Sequence, residues 1–401
     1  MTQTNQQNNI EDLNRVVSIM TYQSSASCLI SSLLDSHPNL LGTPDDVLCE
    51  FQDFWKENNH LKKEKLIKKF ISEYAILFDA KKKSRGNIYS GDVLGLTTMG
   101  PDKNECLYVD TDSFEKYIKE LIRNTDPVPR KLFFQAIHIA YTKAIGRKVE
   151  NPIIVFGLHN TNSLDRLKAL MEDFPNICFL MMVRHPLRSV ASRFRWQNRM
   201  GTDVLRGFGR AVITAAKSGV SHEYTYHDNW RAVKMEDLHF KPELTLKNIC
   251  DWIDIPWDDI LLKSTFNGKM WWNLVGAIQV SGFSPSIASQ KFEEYLPIFD
   301  RIRLNILLSA KCNAWGYTVP SWCESIISKI CILPFLIFPF KMEFMSLPSI
   351  KNNFSNNEKN IIGRIISSLW EVVSGFGRVR IALIQAWLLM FKRNRREVKL
   401  L

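Results

Sequence analysis

The sequence predicts an α/β fold with a central parallel sheet, and two observations support this. Residues 177–183 are apolar without alternation and are bounded by polar residues, which is typical of a strand buried on both faces. Residues 15–20 form a second strand-like run, and after a polar turn at residues 21–28 the apolar residues recur at helical spacing. Strand, turn and helix in this order indicate parallel strands joined by helices.

The end of the predicted strand at residues 177–183 carries a candidate anion site. Arg184 follows the strand, Pro186 suits the first turn of a helix, and Ser192 lies eight residues after the arginine. Arg184 and Ser192 are therefore expected at the carboxyl edge of the sheet, where open α/β sheets bind ligands. The alternative is an arginine that pairs with a surface carboxylate and a serine that bonds its own helix.

The turn at residues 21–28 is rich in serine and other small residues. A strand followed by a small-residue turn and a helix is the layout of a phosphate site, because backbone N–H groups at the helix N-terminus face the anion. An ordinary serine-rich helix cap has the same composition. The pattern alone leaves both interpretations open.

Three stretches together resemble the sulfotransferases that use 3′-phosphoadenosine 5′-phosphosulfate, whose fold is related to that of P-loop kinases. The resemblance implies a P-loop-like three-layer fold and this nucleotide as co-substrate, and we expect no metal site. The first stretch resembles the end of the family's 5′-phosphosulfate loop with its following helix, the second its 3′-phosphate site, and the third a strand and helix after the substrate region. The stretches are residues 31–39 (SSLLDSHPN), Arg184-His185-Pro186 with Ser192, and residues 233–257, which begin VKMEDL.

The 5′-phosphosulfate loop departs from the family pattern, which is Lys or Arg followed by Ser-Gly-Thr. Both the cation and the glycine are missing, and a charge-assisted contact to phosphate contributes roughly 1.5–3 kcal/mol. Either another cation compensates, or activity is weak or lost. Counting back from the Leu-Leu-Asp-Ser-His-Pro run assigns the loop positions to Ser24, Ser25, Ala26, Ser27 and Cys28.

Two further expectations concern the missing cation and the reactivity of the loop cysteine. Lys269 is the candidate cation, because the resemblance implies that family members return a basic loop to the nucleotide from this part of the chain; a solvated surface lysine is the alternative. The thiol of Cys28 is expected to be more reactive than the other thiols, because a helix N-terminus favours the thiolate.

The resemblance also gives two candidates for the base that takes a proton from the acceptor. His159 follows the apolar residues 153–156, at a predicted strand end where histidine-using members keep their base, and an imidazole suits this role at neutral pH. Asp45 and Asp46 lie where carboxylate-using members carry theirs. A loop histidine and a solvated acidic turn are the alternatives.

Length and composition predict a globular chain with three regions. With 401 residues, of which 45% are hydrophobic and 23% charged, the chain can bury a sizeable core. We expect a disordered lead at 1–12, an α/β domain at 13–320 with a helical insertion at about 50–145, and a basic helical extension at 321–401. The N-terminus lacks signal-peptide features, and the eight cysteines include no close C-x-x-C pair, so a cytoplasmic location is expected.

The predicted extension holds twelve Lys and Arg against five Asp and Glu, within a chain of net charge +11. Its apolar runs at 330–340 and 381–391 are shorter than the about 20 residues of a membrane span. Apolar residues at helical spacing from 361 to 370 predict an amphipathic helix, and Lys392, Arg393, Arg395 and Arg396 follow the last run. Residues 330–396 are therefore expected to lie on the anionic inner membrane surface; packing on the domain or in a homodimer is the alternative.

The sequence thus predicts a sulfotransferase that moves a sulfuryl group from 3′-phosphoadenosine 5′-phosphosulfate to the hydroxyl of a glycan, lipid or other alcohol. The alternative is a catalytically inactive nucleotide-binding or membrane-associated interaction protein of the same fold. A small-molecule kinase is a weaker choice, because the sequence has no G-x-x-x-x-G-K-[ST] motif. The acceptor is not identified by the sequence, and no nucleic-acid partner is expected.

Overall fold

The computed structural model describes residues 10, 13–21, 25–85, 90–159, 164–200, 204–217, 229–275, 278–289, 291–345, 361–391 and 398–401. Within these ranges only the backbone is described for residues 21, 159, 164, 198–200, 204–206, 274–275, 361–369 and 371. The expected disordered lead lies outside the described residues except for Ile10. Ser24 and the basic residues from Lys392 to Arg396 lie outside them as well.

A six-stranded parallel sheet forms the centre of the molecule, in the order β10-β5-β4-β1-β3-β2. The predicted strands at 15–20 and 177–183 are confirmed as β1 and β4, and they are neighbours. The strands are β1 (Val16–Thr21), β2 (Leu40–Gly42), β3 (Ile153–His159), β4 (Cys178–Val183), β5 (Trp230–Lys234) and β10 (Lys399–Leu400). Two hairpins pair β6 (Thr265–Phe266) with β7 (Lys269–Met270) and β8 (Asn273–Val275) with β9 (Ile278–Val280).

Helices connect the strands and cover the sheet. In chain order they are α1 (Ser27–Leu34), α2 (Phe51–Asn58), α3 (Lys63–Glu73), α4 (Thr111–Leu121), α5 (Arg130–Ala144), α6 (Leu164–Asp173), α7 (Pro186–Met200), α8 (Val204–Lys217), α9 (Met235–Phe240), α10 (Pro242–Ile253), α11 (Pro285–Ala288), α12 (Ile298–Ala314), α13 (Ile326–Cys331) and α14 (Ile361–Leu389). Four of them, α2 to α5, occupy the region between β2 and β3 where a helical insertion is expected. Pro186 is the first residue of α7, as its fixed φ angle predicts.

The sheet has apolar helices on both faces, which confirms the predicted α/β class. Because successive side chains of a strand point to opposite faces, β1 contributes to two separate cores. Val16 and Met20 pack with the helices α2 to α5, whereas Val17 and Ile19 pack with α1 and α10. The result is a three-layer arrangement with the sheet in the middle.

A third apolar cluster lies beside the sheet and includes the C-terminal region. Val379, Leu383 and Ala386 of α14 are buried in it with Phe208 and Val212 of α8. The chain then returns to the sheet, where β10 pairs in parallel with β5. The change of composition at residue 321 is therefore not a break in packing, because residues on both sides of it share one apolar core.

Among the described residues, one stretch is long and apolar enough to cross a membrane by length and composition. It is Val372–Leu389, with a mean hydropathy of 1.4, and 28% of it is buried in the protein. It forms part of the continuous 29-residue helix α14. The apolar helix is therefore longer than the 11-residue run at 381–391 indicated. A helix with one face packed in a protein core meets the same criteria.

Candidate active site

The carboxyl edge of the sheet gathers most of the predicted site residues. Arg184 follows β4, His159 ends β3, and Asp45 and Asp46 lie just beyond β2. Thr21, the last residue of β1, lies between the ends of β4 and β3, because β1 is the neighbour of both strands. With strands about 4.8 Å apart, the ends of β4 and β2 are separated by roughly 15 Å. Arg184 therefore lies on one side of the β1 end, and His159, Asp45 and Asp46 lie on the other.

The β1–α1 turn keeps a glycine-like backbone at the position where the family glycine is missing. Ala26 has φ 66° and ψ 30°, in the left-handed region that glycine adopts most readily. Helix α1 begins at the next residue, and no side chain caps it within the described residues. The first N–H groups of a helix have no intrahelical partner, so the amino end of α1 has donors for an anion.

Ser25 precedes this residue and is 1% exposed. Its hydroxyl oxygen is buried and has no hydrogen-bond partner among the described residues. A buried hydroxyl without a partner costs free energy, and an anion bound next to it would remove this cost by accepting a hydrogen bond from the hydroxyl. Ser25 and the left-handed Ala26 therefore fit a phosphate or sulfate group.

The expectation of a reactive thiol at Cys28 is wrong. Its Sγ donates a hydrogen bond to Oδ2 of Asp45 at 3.2 Å. Burial raises the pKa of the Cys28 thiol well above its usual value, and the neighbouring charges of Asp45 and Asp46 raise it further. Because burial and two acidic neighbours disfavour the thiolate, they outweigh the helix N-terminus.

Asp45 and Asp46 occupy different environments although they are adjacent. Asp45 is 6% exposed, has a φ of 49° and lines a small cavity with Ser31 of α1 and Thr43. Asp46 is half-buried, and it lies against Gly157 of β3, where a Cβ atom would approach its Cα to 2.8 Å. The glycine thus allows the acidic turn to approach β3, and Asp46 is the more accessible of the two acids.

The β4 end forms the most strongly basic part of the edge. Arg184 is 7% exposed, and its Nη2 donates to the carbonyl of Ile287 at 3.5 Å. Burial lowers the pKa of Arg184 to about 10, with Glu236 opposing this change and Arg195 and Arg188 adding to it. At neutral pH this guanidinium is still charged, so the edge holds a buried cation.

Glu236 and Tyr317 hold the strand end in place, a role that no sequence pattern predicted. One oxygen of Glu236 accepts from the backbone N–H of His185 at 3.1 Å, and the other accepts from the Tyr317 hydroxyl at 2.6 Å. The ring of His185 packs against that of Tyr317 with centroids 4.9 Å apart. The carboxylate of Glu236 thereby fixes the backbone next to Arg184.

Helix α7 adds a second cation that the sequence reasoning missed. Arg188 lies four residues before Ser192, so the two share a face of α7. The guanidinium of Arg188 donates to the carbonyl of Ala288, next to the carbonyl that Arg184 contacts. The spacing of four residues between Arg188 and Ser192 is the signal that could have identified it.

Lys269 is not brought to the β1–α1 turn. Its Nζ lies 2.8 Å from Glu105, and 40% of the side chain is exposed. The hairpin that carries it docks at the other end of α1, where the backbone N–H groups of Asn267 and Gly268 donate to Asp35. Helix α1 has eight residues and is about 12 Å long, which separates the hairpin from the turn.

The Asp-Ser-His segment that carries part of the resemblance is structural. Asp35 is buried and accepts hydrogen bonds from Thr265 and from two backbone N–H groups of the hairpin. His37 is fully buried, and its Nε2 donates to the carbonyl of Pro256. These side chains join α1 to the hairpin and to the segment after α10, so they hold α1 in place.

The remaining predictions concern the position of His159, the cysteines and metal binding. His159 pairs with Thr21 in the β3–β1 register, which confirms its place at the strand end, and its side chain lies outside the described residues. All eight cysteines are free, and within the described residues no group of three His, Cys, Asp or Glu side chains could hold a metal ion.

Residues 17–259 match the sequence model of the sulfotransferase family. This match covers more than half of the chain, so the protein belongs to the sulfotransferase family. No curated protein is significantly similar to it.

Three solved structures are similar to this chain. The sulfotransferase domain from the curacin biosynthetic pathway is 16% identical, with 77% of this chain and 99% of that chain covered and a TM-score of 0.41. The sulfotransferase domain of the olefin synthase from Synechococcus PCC 7002 is 16% identical, with coverage of 76% and 95% and a TM-score of 0.37. A sulfotransferase from Mycobacterium avium is 14% identical, with coverage of 63% and 68% and a TM-score of 0.31.

Proposed function

We propose that this protein transfers a sulfuryl group from 3′-phosphoadenosine 5′-phosphosulfate to the hydroxyl of an acceptor. The observation that carries the proposal is the backbone of Ala26. This residue keeps a left-handed conformation immediately before α1, although a side chain has replaced the hydrogen of a glycine. This conformation is costly for alanine, and backbone strain of this kind is concentrated at ligand-binding sites, which supports a bound anion here.

The donor nucleotide is held at two neighbouring strand ends in this proposal. The amino end of α1 and the hydroxyl of Ser25 bind the 5′-phosphosulfate, since the helix end has no side-chain cap and the Ser25 hydroxyl has no partner within the described residues. Arg184, Arg188 and Ser192 bind the 3′-phosphate. On binding, the two arginines exchange the carbonyls of Ile287 and Ala288 for phosphate oxygens, which form stronger charge-assisted bonds.

The acceptor approaches from the β3 side in this proposal. His159 takes the proton of the acceptor hydroxyl while its oxygen forms a bond to sulfur. The bond from sulfur to the phosphate oxygen breaks in line, and 3′-phosphoadenosine 5′-phosphate leaves. His159 is preferred to Asp45 because the Asp45 carboxylate is buried and accepts a hydrogen bond from the Cys28 thiol, which makes Asp45 a positioning residue. Asp46, which is half-buried, is the second candidate for the base.

The test is transfer of [³⁵S]sulfate from the labelled nucleotide to pooled glycans, glycolipids and small alcohols. His159→Asn should reduce turnover at least a hundredfold, in keeping with the contribution of a general base. Binding of 3′-phosphoadenosine 5′-phosphate should not change, and Asp46→Asn should keep most of the activity. Loss of activity in Asp46→Asn with full activity in His159→Asn would transfer the role of base to the carboxylate.

A second candidate function is nucleotide binding without transfer. It is favoured by Ser24, which replaces the loop cation in the sequence, and by Lys269, which is paired with Glu105 far from the turn. Without a cation the charge that develops on the leaving phosphate is less stabilised. Nucleotide binding with no label transferred to any acceptor pool would support this candidate.

A further inference from the structure

Exposed apolar side chains are concentrated in the C-terminal region. Most of the large apolar residues that are exposed in the described part of the chain lie between Trp322 and Phe391. On the segment 326–344 they are Ile326, Ile327, Ile330, Leu333, Phe335, Ile337, Phe338 and Phe344, and on α14 they are Trp370, Val373, Ile381, Ile384 and Leu388. Exposed apolar side chains at this density are typical of an interaction site.

The segment 326–344 is apolar on both its faces. Ile332, Leu336 and Phe340 are buried in the third apolar cluster and anchor the segment to α12 and α14. Between these anchors, Ile337 is 74% exposed and Phe338 is 55% exposed. The protein core therefore accounts for the inner side chains, whereas Ile337 and Phe338 stay exposed at its edge, where the ring of Phe335 contacts those of Phe299 and Phe338.

Two arginines bind the backbone of this segment from the inside. Arg303 of α12 is fully buried, and its Nη1 donates to the carbonyls of Phe335 and Phe338 at 3.0 and 2.6 Å. Arg380 of α14 donates through Nη1 to the carbonyls of Leu336, Ile337 and Phe338 at 2.9, 3.0 and 2.8 Å. The carbonyls of an irregular turn are thereby satisfied on the side that faces the protein.

In this arrangement the backbone carbonyls are bonded within the protein, which insertion into lipid requires and a hydrated protein interface does not. An irregular backbone can enter an apolar medium only when its polar groups are bonded within the protein. Here the carbonyl oxygens of residues 335–338 are bonded to Arg303 and Arg380, while Ile337 and Phe338 are more than half exposed and Phe335 is 43% exposed. The turn can therefore insert its side chains without exposing unsatisfied carbonyls.

The positive charge of the C-terminal region favours an anionic surface over a second copy of the protein. Residues 321–401 carry twelve Lys and Arg against five Asp and Glu. One of these acids, Glu343, is fully buried and binds Arg380, so it presents no negative charge to a surface. A second copy of this region would bring the same excess of positive charge against itself, whereas anionic headgroups would neutralise it.

We propose that the segment 326–344 and the exposed face of α14 dock on an anionic lipid bilayer, with Phe335, Ile337 and Phe338 inserted at the interface. Helix α14 lies along the surface, because Val379, Leu383 and Ala386 keep its other face packed on α8. The protein therefore binds to the surface of the membrane and does not span it.

The test is flotation of the full chain with vesicles of phosphatidylcholine alone or with 30% phosphatidylglycerol. The wild type should float with the anionic vesicles at 50 mM salt, and less at 500 mM, because salt screens the electrostatic part of the attachment. The double substitution Ile337→Ser/Phe338→Ser should reduce binding at least tenfold. Ile278→Ser, which changes a 67% exposed residue on β9, is the matched control and should leave binding unchanged.

Four results would overturn the proposal. They are a wild type that stays at the bottom of the gradient at low salt, a double variant that binds like the wild type, and a double variant that converts a lipid-free dimer to a monomer. The fourth is protein in cell membranes that resists carbonate extraction, which would show that α14 spans the bilayer. Unchanged urea denaturation of the double variant excludes loss of folding as the cause of weaker binding.

Discussion

Replacement of Ala26 by glycine should stabilise the protein, contrary to the usual effect of Ala→Gly. Ala26 has φ 66° and ψ 30°, a conformation that costs an L-residue roughly 1–2 kcal/mol. Glycine removes this cost, but it gives the unfolded chain more conformational freedom, which offsets about 0.4–1 kcal/mol. The net expectation for Ala26→Gly is a gain of about 0.5–1 kcal/mol.

The matched control is Ala144→Gly at the end of α5. Ala144 is half-buried like Ala26 but has a right-handed helical backbone, so glycine should cost about 0.5–1 kcal/mol there. Urea denaturation of the two variants should therefore shift the midpoint in opposite directions at an unchanged slope. A fall of the midpoint in Ala26→Gly equal to that in Ala144→Gly would refute a left-handed residue at this position and weaken the assignment of the loop.

The protein should lose stability as the pH falls from 7.5 to 5, in part through His138. Burial lowers the pKa of His138 to about 4 in the folded state, so below about pH 6.5 the unfolded chain binds a proton that the folded chain does not. Between pH 7.5 and 5, the free energy of unfolding of His138→Leu should therefore fall by about 2 kcal/mol less than that of the wild type, as measured by urea denaturation. An equal fall in the two proteins would contradict this prediction. Lys269→Ala should leave the affinity for 3′-phosphoadenosine 5′-phosphate within about twofold in calorimetry, because Lys269 pairs with Glu105, whereas Ser24→Arg should raise that affinity roughly tenfold or more by supplying the missing cation. A loss of affinity in Lys269→Ala would mean that the hairpin moves to the nucleotide.

The local elements around the site could be predicted from the sequence because they depend on short-range patterns. The apolar runs gave β1 and β4, and Pro186 marked the start of α7. The order of the strands depends on which surfaces pack together over long distances, and no short pattern specifies it. The position of Lys269 shows the difference, since it is determined by the bonds of its hairpin to Asp35 at the far end of α1.

The environment of buried groups also could not be predicted from the sequence. The helix N-terminus suggested a reactive Cys28, but the turn after β2 brings Asp45 against the thiol, and this contact is visible only in three dimensions. The same is true of the C-terminal region, whose composition suggested a separate extension. Its helix α14 buries Val379 and Leu383 among residues of α8, so one face of it belongs to the core.

The most direct test of the nucleotide site is calorimetric titration with 3′-phosphoadenosine 5′-phosphate and with adenosine 5′-monophosphate, which lacks the 3′-phosphate. The wild type should bind the bisphosphate more tightly. Arg184→Ala should weaken bisphosphate binding roughly ten- to hundredfold and change monophosphate binding little, since a charged hydrogen bond contributes about 1.5–3 kcal/mol. Arg15→Ala, at the opposite edge of the sheet, should alter neither affinity. Equal losses for both nucleotides in Arg184→Ala, or no binding of the bisphosphate by the wild type, would contradict this account.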